Sequence, residues 1–181
     1  DVAECLQESG ADILLVLNAS PFDSAKPERR MSTAVARTVE TGLPLIYVNM
    51  VGGQDELVYD GASFALNADG SLASHFPSFS ETVLQVQLAK TAGHIKLNGQ
   101  ITPPDEGMQA LYRGVMLGLR DYVHENGFPG VVLGLSGGID SALVAALAVD
   151  AFGADHVQAV MMPSAYTSQT SLDAVSYTHL T

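Results

Sequence analysis

The segment from residue 134 to residue 141, with the sequence GLSGGIDS, has the residue types that a phosphate-binding loop needs. Its two adjacent glycines lack a Cβ atom and can adopt positive φ angles, so a phosphate could touch the backbone there. Its two serines add hydroxyl donors. If a helix begins at this point, the free backbone N–H groups of its first turn also favour an anion. The segment therefore predicts a site for phosphate.

Other interpretations of the same residues can be compared with this one. A Walker loop, G-x-x-x-x-G-K-[ST], has the right length, but Ile139 and Asp140 stand where it requires Gly and Lys. A dinucleotide fingerprint, G-x-G-x-x-G, is broken at Ser136. The nucleophile elbow of hydrolases, G-x-S-x-G, fits GLSGG but leaves Asp140 and Ser141 unexplained. A purely structural turn, in which Asp140 complements the helix dipole, would contribute only about 0.3–1 kcal/mol.

The residues on either side predict the elements that position this segment. The apolar run VVLGL at 131–135 predicts a strand buried on both faces, as in a parallel sheet. After the loop, apolar residues recur at helical spacing up to Gly153, and HVQAVMM at 156–162 predicts the next strand. The result is a β-α-β unit with the loop at the carboxyl end of a strand, where open α/β sheets bind ligands.

In this setting SGGIDS resembles the PP-loop, S-G-G-x-D-S, of the N-type ATP pyrophosphatases. The resemblance implies that the loop cradles the pyrophosphate released when ATP is split between its α and β phosphates. It also implies that Asp140 is a ligand of Mg²⁺, which acts with the backbone amides in place of a lysine. The ATP-binding residues that it implies are Gly134, Leu135, Ser136, Gly137, Gly138, Ile139, Asp140 and Ser141.

Composition and charge limit the function classes. Eight Lys and Arg against 20 Asp and Glu give a net charge of −12, which argues against nucleic acid as a partner. The longest apolar run, at 142–149, is too short to cross a bilayer, so no membrane partner is expected. A single cysteine excludes a disulfide framework and is typical of a cytoplasmic protein. Five histidines, at 75, 94, 124, 156 and 179, show no metal-ligand spacing and predict no zinc site.

The rest of the chain predicts helices that alternate with strands, followed by sheet. The expected elements are a helix that ends at Gly10, a buried strand at ADILLVLN, a helix at 26–41 that ends at Gly42, and a buried strand at PLIYVNMV. SFALNADGSLASHF predicts a hairpin that turns at 67–70, and VLQVQLA predicts a half-buried strand. The polar stretch with TPPDEG predicts a linker, and the apolar spacing after it predicts a helix at 108–126.

Two halves of the chain resemble a single family. GADILLVLNASPF, Lys26 and GLPLIYVNMVGGQDELVYDGASF resemble the later part of a nitrilase-fold glutaminase domain. GLSGGIDSALVAALAVDAFG and MMPSAYTSQTSL resemble the synthetase half of the glutamine-dependent NAD⁺ synthetase family, in which such a glutaminase precedes a PP-loop domain. The implied fold is α/β: the end of a nitrilase-like α-β-β-α sandwich, then the start of a doubly wound parallel-sheet PP-loop domain.

The resemblance implies a carbon–nitrogen ligase. ATP would activate the carboxylate of deamido-NAD⁺ as an acyl-adenylate, and ammonia released from glutamine would displace AMP to give NAD⁺. The implied partners are ATP, deamido-NAD⁺ and glutamine, with Mg²⁺ as cofactor and a homo-oligomeric assembly. Two alternatives stay open, namely another PP-loop enzyme that forms amides and a non-catalytic nucleotide-binding module.

The resemblance also assigns residues in the N-terminal half. Ser20 and Lys26 match positions that hold glutamine, although a turn serine and a solvated lysine are the structural alternatives. A nitrilase-type glutaminase uses a Glu, a Lys and a nucleophilic Cys, and all three are expected upstream of Asp1. The cysteine of this chain, Cys5, falls within a predicted helix and is interpreted as core packing. No catalytic residue is therefore assigned. The loop VGGQDELVYDG, which includes Asp60, is expected to line the same pocket.

These resemblances predict the domain boundaries. Residues 1–92 would form the end of the glutaminase domain, 93–107 a linker, and 108–174 the start of the ATP-binding domain. The last residues, 175–181, do not follow the family pattern and are given no function.

Overall fold

The computed structural model describes residues 2–178, and of Tyr177 and Thr178 only the backbone. The helices are α1 (Val2–Glu8), α2 (Lys26–Thr41), α3 (Gly107–Glu125), α4 (Ile139–Phe152) and α5 (Gln169–Thr178). The strands are β1 (Leu14–Asn18), β2 (Leu45–Asn49), β3 (Val51–Gln54), β4 (Leu57–Asp60), β5 (Phe64–Leu66), β6 (Leu72–His75), β7 (Gln87–Thr91), β8 (His94–Asn98), β9 (Val131–Gly134) and β10 (Val157–Val160).

The chain divides into two compact units. The first contains the residues up to Gly52 and those from Glu56 to Gly114, and the second contains Gly53–Asp55 and the chain from Val115 onward. Each combines helices with strands, so the predicted mixed α/β class is confirmed.

The first unit is built on a four-stranded sheet with the order β1-β2-β5-β6. β1 and β2 run parallel, whereas β2–β5 and β5–β6 are antiparallel, and the predicted hairpin turn is closed by a bond from the Gly70 N–H to the Asn67 carbonyl. Helix α2 begins with Pro27 in its first turn and ends at Gly42 in the left-handed conformation, as predicted. The core between this helix and the sheet contains Leu14, Ala34, Leu45, Tyr47, Phe64 and Leu66.

The second unit contains the predicted β-α-β arrangement. β9 and β10 are parallel neighbours, and α4 connects them with a short 3-10 turn at Ala154–His156. The tip of the β3–β4 hairpin belongs to this unit, where the Gly53 N–H donates a hydrogen bond of 2.8 Å to the Asp121 carboxylate on α3.

Several sequence-based expectations about burial and boundaries are wrong. β1 is not buried on both faces, because Leu15 and Leu17 are 68% and 81% exposed at the edge of the sheet. In β9, Val132 is 70% exposed, since the sheet there has two strands. The strand predicted at VLQVQLA begins only at Gln87 and pairs with β8, so the stretch predicted as a linker contains a strand.

The N-terminal end of the described chain differs from expectation in the burial of one residue. α1 forms as predicted, but Cys5 is exposed, and Ala3 rather than the cysteine packs against the core. At the other end α5 continues past Ala174 without a break, and Val175 is buried. His179 lies outside the described residues. Among residues 2–178, no helix is both long and apolar enough to cross a membrane.

Candidate functional site

The predicted phosphate loop lies between β9 and α4, as its sequence requires. β9 ends at Gly134 and α4 begins at Ile139, with Gly138 as the extended N-cap residue of that helix. Among the residues that the structure describes, no side chain caps this helix start, and its first N–H groups face an exposed loop. All eight residues predicted to bind ATP are thus brought together by one strand–turn–helix corner.

The loop is held by short-range hydrogen bonds between its own serines and backbone. Ser141 Oγ donates to the Gly138 carbonyl at 3.0 Å and accepts from the Ser136 N–H at 3.2 Å. Since the Ser141 proton is used at Gly138, Ser136 is the donor in the 3.1 Å contact between the two hydroxyls. These partners are five residues apart at most and are exposed, so a phosphate can replace them at small cost.

The two loop glycines serve different purposes. Gly137 has φ of 81°, and a Cβ atom built on it would lie 2.7 Å from the Ser171 carbonyl oxygen. This residue is therefore glycine for a structural reason, which the sequence did not reveal. Gly138 has no such constraint, since the nearest atom to its Cβ would be Ser136 Oγ at an ordinary 3.5 Å. The space in front of Gly138 is open to a ligand.

Asp140, the predicted Mg²⁺ ligand, is an exposed residue in the first turn of α4. Within the described part of the chain, no cluster of three or more His, Cys, Asp or Glu could hold a metal by itself. A single carboxylate nevertheless fits Mg²⁺, because this ion is usually held by one or two carboxylates together with substrate phosphates and water.

The two residues predicted to hold glutamine lie on one open cavity in the first unit. Ser20 and Lys26 line a space of about 530 Å³ together with Arg29, Arg30 and Arg37. Four of the eight Lys and Arg of the chain therefore face one cavity, although the chain carries a net charge of −12. Arg30 and Arg37 are paired with Asp60 and Glu40, and Lys26 and Arg29 add positive charge that favours a ligand with a carboxylate.

A set of bonds fixes the segment that carries Ser20 and Lys26. Asn18 Nδ2 donates to the Tyr47 hydroxyl at 3.0 Å, and the Phe22 N–H donates to the Val58 carbonyl at 2.7 Å. Between them, Asn49 Oδ1 accepts from the Ser20 N–H at 2.8 Å. The loop is therefore held at alternate residues, which limits its motion before the ligand binds.

A buried ion pair lies behind this segment. Arg30 Nη2 donates to Asp60 Oδ2 at 2.5 Å, and the two side chains are 8% and 2% exposed. Among residues 2–178, Arg30 Nε and Nη1 have no hydrogen-bond partner. His75 lines a separate small cavity together with Arg30 and Asp60, and its Nδ1 donates to the Thr102 carbonyl at 2.9 Å. Burial lowers the pKa of His75 below its ordinary value.

The remaining candidates are the polar residues of the loop VGGQDELVYDG. Gln54 and Asp55 are exposed at the hairpin tip, and the expectation that their loop lines the Ser20 cavity stays a prediction. Asp60 reaches Ser20 only through Asn49. Sequence reasoning missed Arg30 and Asn49. Both continue a buried pattern, Arg30 one turn before Ala34 in α2 and Asn49 two residues after Tyr47 in β2.

Comparison with known proteins gives the same two halves. The carbon-nitrogen hydrolase model matches residues 2–96, and the NAD synthase model matches residues 111–178. The glutamine-dependent NAD(+) synthetase of Rhodobacter capsulatus is 52% identical over 174 residues, and that of Acinetobacter baylyi is 44% identical over 168 residues. The solved glutamine-dependent NAD+ synthetase of Acinetobacter baumannii, in complex with adenosine diphosphate, matches 94% of this chain with a TM-score of 0.86 and 46% identity.

The chain spans about a third of the length of the relatives that it matches. The alignments cover 96% and 93% of this chain but 32% and 31% of the two curated proteins, and 32% of the Acinetobacter baumannii chain. The resemblance inferred from the two sets of motifs is confirmed, including their order along the chain. Because the first model matches more than half of the residues, the chain belongs to the carbon-nitrogen hydrolase family, with the start of an NAD synthase domain after that region.

Proposed function

We propose that this chain serves in a glutamine-dependent NAD⁺ synthetase, a ligase that uses ATP and ammonia from glutamine to convert deamido-NAD⁺ into NAD⁺. The observation that carries the proposal is the loop at 134–141, which places free helix N–H groups and two serines at the end of a parallel strand. The carbon-nitrogen hydrolase region on the same chain supplies the reason for glutamine. Relatives of that name are 52% and 44% identical to it.

The loop geometry suits the activation of a carboxylate. The carboxylate oxygen attacks the α phosphorus of ATP, the bond between the α and β phosphates breaks, and pyrophosphate leaves. Backbone N–H groups of Gly138 and Ile139 and the hydroxyls of Ser136 and Ser141 stabilise the charge that develops on the leaving group. Asp140 would hold Mg²⁺ at this place, and the ion would supply further charge neutralisation when bound.

The second step uses ammonia. Ammonia attacks the carbonyl carbon of the acyl-adenylate, AMP leaves with the bonding electrons, and the nitrogen loses one proton, which completes the amide. Ammonia in neutral water is mostly ammonium and not nucleophilic, so it must be delivered without protonation. Ser20 and Lys26 hold the glutamine that supplies it: the Lys26 ammonium faces the substrate carboxylate, and the cavity they line is cationic.

The catalytic residues of glutamine hydrolysis stay a prediction upstream of Asp1. Cys5 does not replace them, because it is exposed on α1 and does not line the cavity of Ser20 and Lys26. A nucleophile elbow at Ser136 has no support either, since in the described chain its hydroxyl bonds to Ser141 and Gly138 and not to a histidine.

Product analysis tests the proposal. The full-length protein is incubated with ATP, Mg²⁺, deamido-NAD⁺ and glutamine, and the products are followed by ³¹P NMR and chromatography. We expect AMP, pyrophosphate, NAD⁺ and glutamate in equal amounts. Formation of ADP and phosphate, or turnover of ATP only with another acceptor, contradicts the proposal. We also propose a homo-oligomer, which light scattering tests and a monomeric mass would contradict.

A further inference from the structure

Ser20 is held at both of its backbone groups by one side chain. Asn49 Oδ1 accepts from the Ser20 N–H at 2.8 Å, and Asn49 Nδ2 donates to the Ser20 carbonyl at 3.2 Å. Asn49 is buried at the end of β2, within the four-stranded sheet. Ser20 lies outside the regular elements, yet it cannot shift without loss of both bonds.

Asn49 is fixed in turn by buried groups. Its N–H donates to Ser63 Oγ at 3.0 Å, and its Nδ2 also reaches Asp60 Oδ1 at 3.3 Å. The other carboxylate oxygen of Asp60 accepts from Arg30. The bonds therefore run in one series from Arg30 through Asp60 and Asn49 to Ser20.

This series of bonds leads back to α2, the helix that carries Lys26, which is the second residue predicted to hold glutamine. Arg30 lies four residues after Lys26 in α2, one helical turn away on the same face. Lys26 is the first residue of that helix, and its N–H bonds to the Asp23 carbonyl at 3.0 Å. The network thus connects Ser20 to the helix that begins at Lys26, across residues far apart in the sequence.

We propose that Asn49, Asp60 and Arg30 are positioning residues that fix the separation of the Ser20 hydroxyl and the Lys26 ammonium, so that the two groups receive the α-amino-acid end of glutamine together. This inference rests on the proposed function of the cavity. Preorganisation of this kind lowers the ordering cost of binding, and it therefore acts on affinity for the substrate rather than on the chemical step.

The network is poorly suited to stabilisation alone. The Arg30 side chain is only 8% exposed. Within the described residues, two of its three guanidinium nitrogens have no hydrogen-bond partner. Burial of such groups is costly, and apolar residues of similar volume often stabilise a fold as well or better. A role in holding the residues of a binding site accounts for a buried network with unsatisfied groups.

Kinetics of the full-length protein test the proposal. Asn49→Ala removes both bonds to Ser20, and Asp60→Asn removes the charge that holds Arg30. Each should raise the KM for glutamine about tenfold or more, as expected for lost buried hydrogen bonds, and leave kcat at saturating glutamine within about threefold. The KM for ATP should not change. Asn67→Ala is the matched control, because this asparagine also bonds to backbone in the same unit, at the Leu97 N–H, away from Ser20.

A double-mutant cycle separates positioning from general destabilisation. If Asp60 acts through Asn49, Asp60→Asn should add little to the KM effect once Asn49 is alanine. Additive effects, or a rise in KM in Asn67→Ala equal to that in Asn49→Ala, would overturn the proposal. If Asn49→Ala does not fold, the comparison of Asp60→Asn with Asn67→Ala decides the question: the proposal requires a raised KM for glutamine with little change in kcat in the first variant and not in the second.

The outcomes also distinguish this inference from the proposed function. Failure of the wild-type protein to hydrolyse glutamine rejects the function itself. If Ser20→Ala and Lys26→Met raise the KM for glutamine while Asn49→Ala and Asp60→Asn do not, the function stands and the positioning network is rejected.

Discussion

The two candidate sites of this chain are held in opposite ways. At the loop of residues 134–141, the bonds join neighbours no more than five residues apart, and the groups are exposed. At the Ser20 cavity, the bonds join residues that are 11 to 30 positions apart, and most of the groups are buried. One site is a local loop that its own serines close, and the other is a network that joins the loop at Ser20, Arg30 in α2, Asn49 in β2 and Asp60 in β4.

This difference has consequences for binding. An exposed loop can exchange internal hydrogen bonds for bonds to phosphate with little loss, so affinity there depends on the ligand and its metal. A buried network cannot rearrange cheaply, because each group that loses its partner bears the full desolvation cost. We therefore expect substitutions in the network to affect stability and substrate affinity, and substitutions in the loop to affect ATP chemistry.

The largest effect is expected for Asp60→Ala. This change leaves Arg30 buried at 8% exposure without a counter-ion and should destabilise the first unit by about 3–5 kcal/mol. Amide hydrogen exchange should show the loss in β2 and β5 and not in β9 and β10. Equal loss in both sets of strands would show that the network does not act locally within the first unit.

Asp140→Asn should have the next largest effect, on turnover alone. If Asp140 holds Mg²⁺ against the leaving pyrophosphate, kcat should fall by about a hundredfold or more, while glutamine hydrolysis and folding stay intact. Assays of NAD⁺ and of glutamate over a range of Mg²⁺ concentrations measure both. Full activity at low Mg²⁺ would contradict the role of this carboxylate.

Substitution of the two loop glycines separates structure from binding. Gly137→Ala places a Cβ atom 2.7 Å from the Ser171 carbonyl at a positive φ and should cost about 1–3 kcal/mol of stability in the second unit. Gly138→Ala meets only Ser136 Oγ at 3.5 Å, so the fold should tolerate it while the affinity for ATP falls. Thermal unfolding and ATP titration of both variants provide the measurement. Unchanged ATP affinity in Gly138→Ala would show that phosphate does not approach this backbone.

A smaller effect concerns pH and the first unit. Burial lowers the pKa of His75 below the ordinary value of 6.5, so the unfolded chain binds more protons than the folded one between these two pKa values. Stability should therefore fall as the pH is lowered through 6.5 and level off below the lowered pKa. Urea unfolding followed in the first unit should show this slope in the wild type, and His75→Asn should flatten it. A slope that survives the substitution would assign it to other groups.

The smallest effect is expected at Cys5. Because its side chain is exposed, Cys5→Ala should change stability by less than about 0.5 kcal/mol and leave glutamine hydrolysis intact. Loss of glutaminase activity in this variant would contradict the placement of the nucleophile upstream of Asp1.

The loop could be predicted from the sequence because its information is local. The motif, the strand before it and the helix after it are contiguous, and their periodicities change at the loop itself. The hairpin of β7 and β8 was missed for a related reason. Its two-residue turn consists of Ala92 and Gly93 at φ of 49° and 84°, and Ala is a weak signal for a turn that Asn usually begins.

The network around Ser20 could not be predicted in the same way. The sequence places Arg29 beside Arg30 and does not say which of them is buried, since that depends on how α2 packs. Exposure of Leu15 and Val132 was likewise mispredicted, because an apolar strand does not show how many neighbours its sheet provides. Partners separated by 29 or 30 residues become visible only when the strands are paired.

The proposed function requires that the loop at 134–141 binds the diphosphate that ATP releases. The most direct measurement is a crystal structure of the full-length protein with Mg²⁺ and a non-hydrolysable ATP analogue. We expect the β and γ phosphates to lie against the N–H groups of Gly138 and Ile139, with Mg²⁺ between them and Asp140. Phosphate density at another place, with this loop unchanged and empty, would contradict the account.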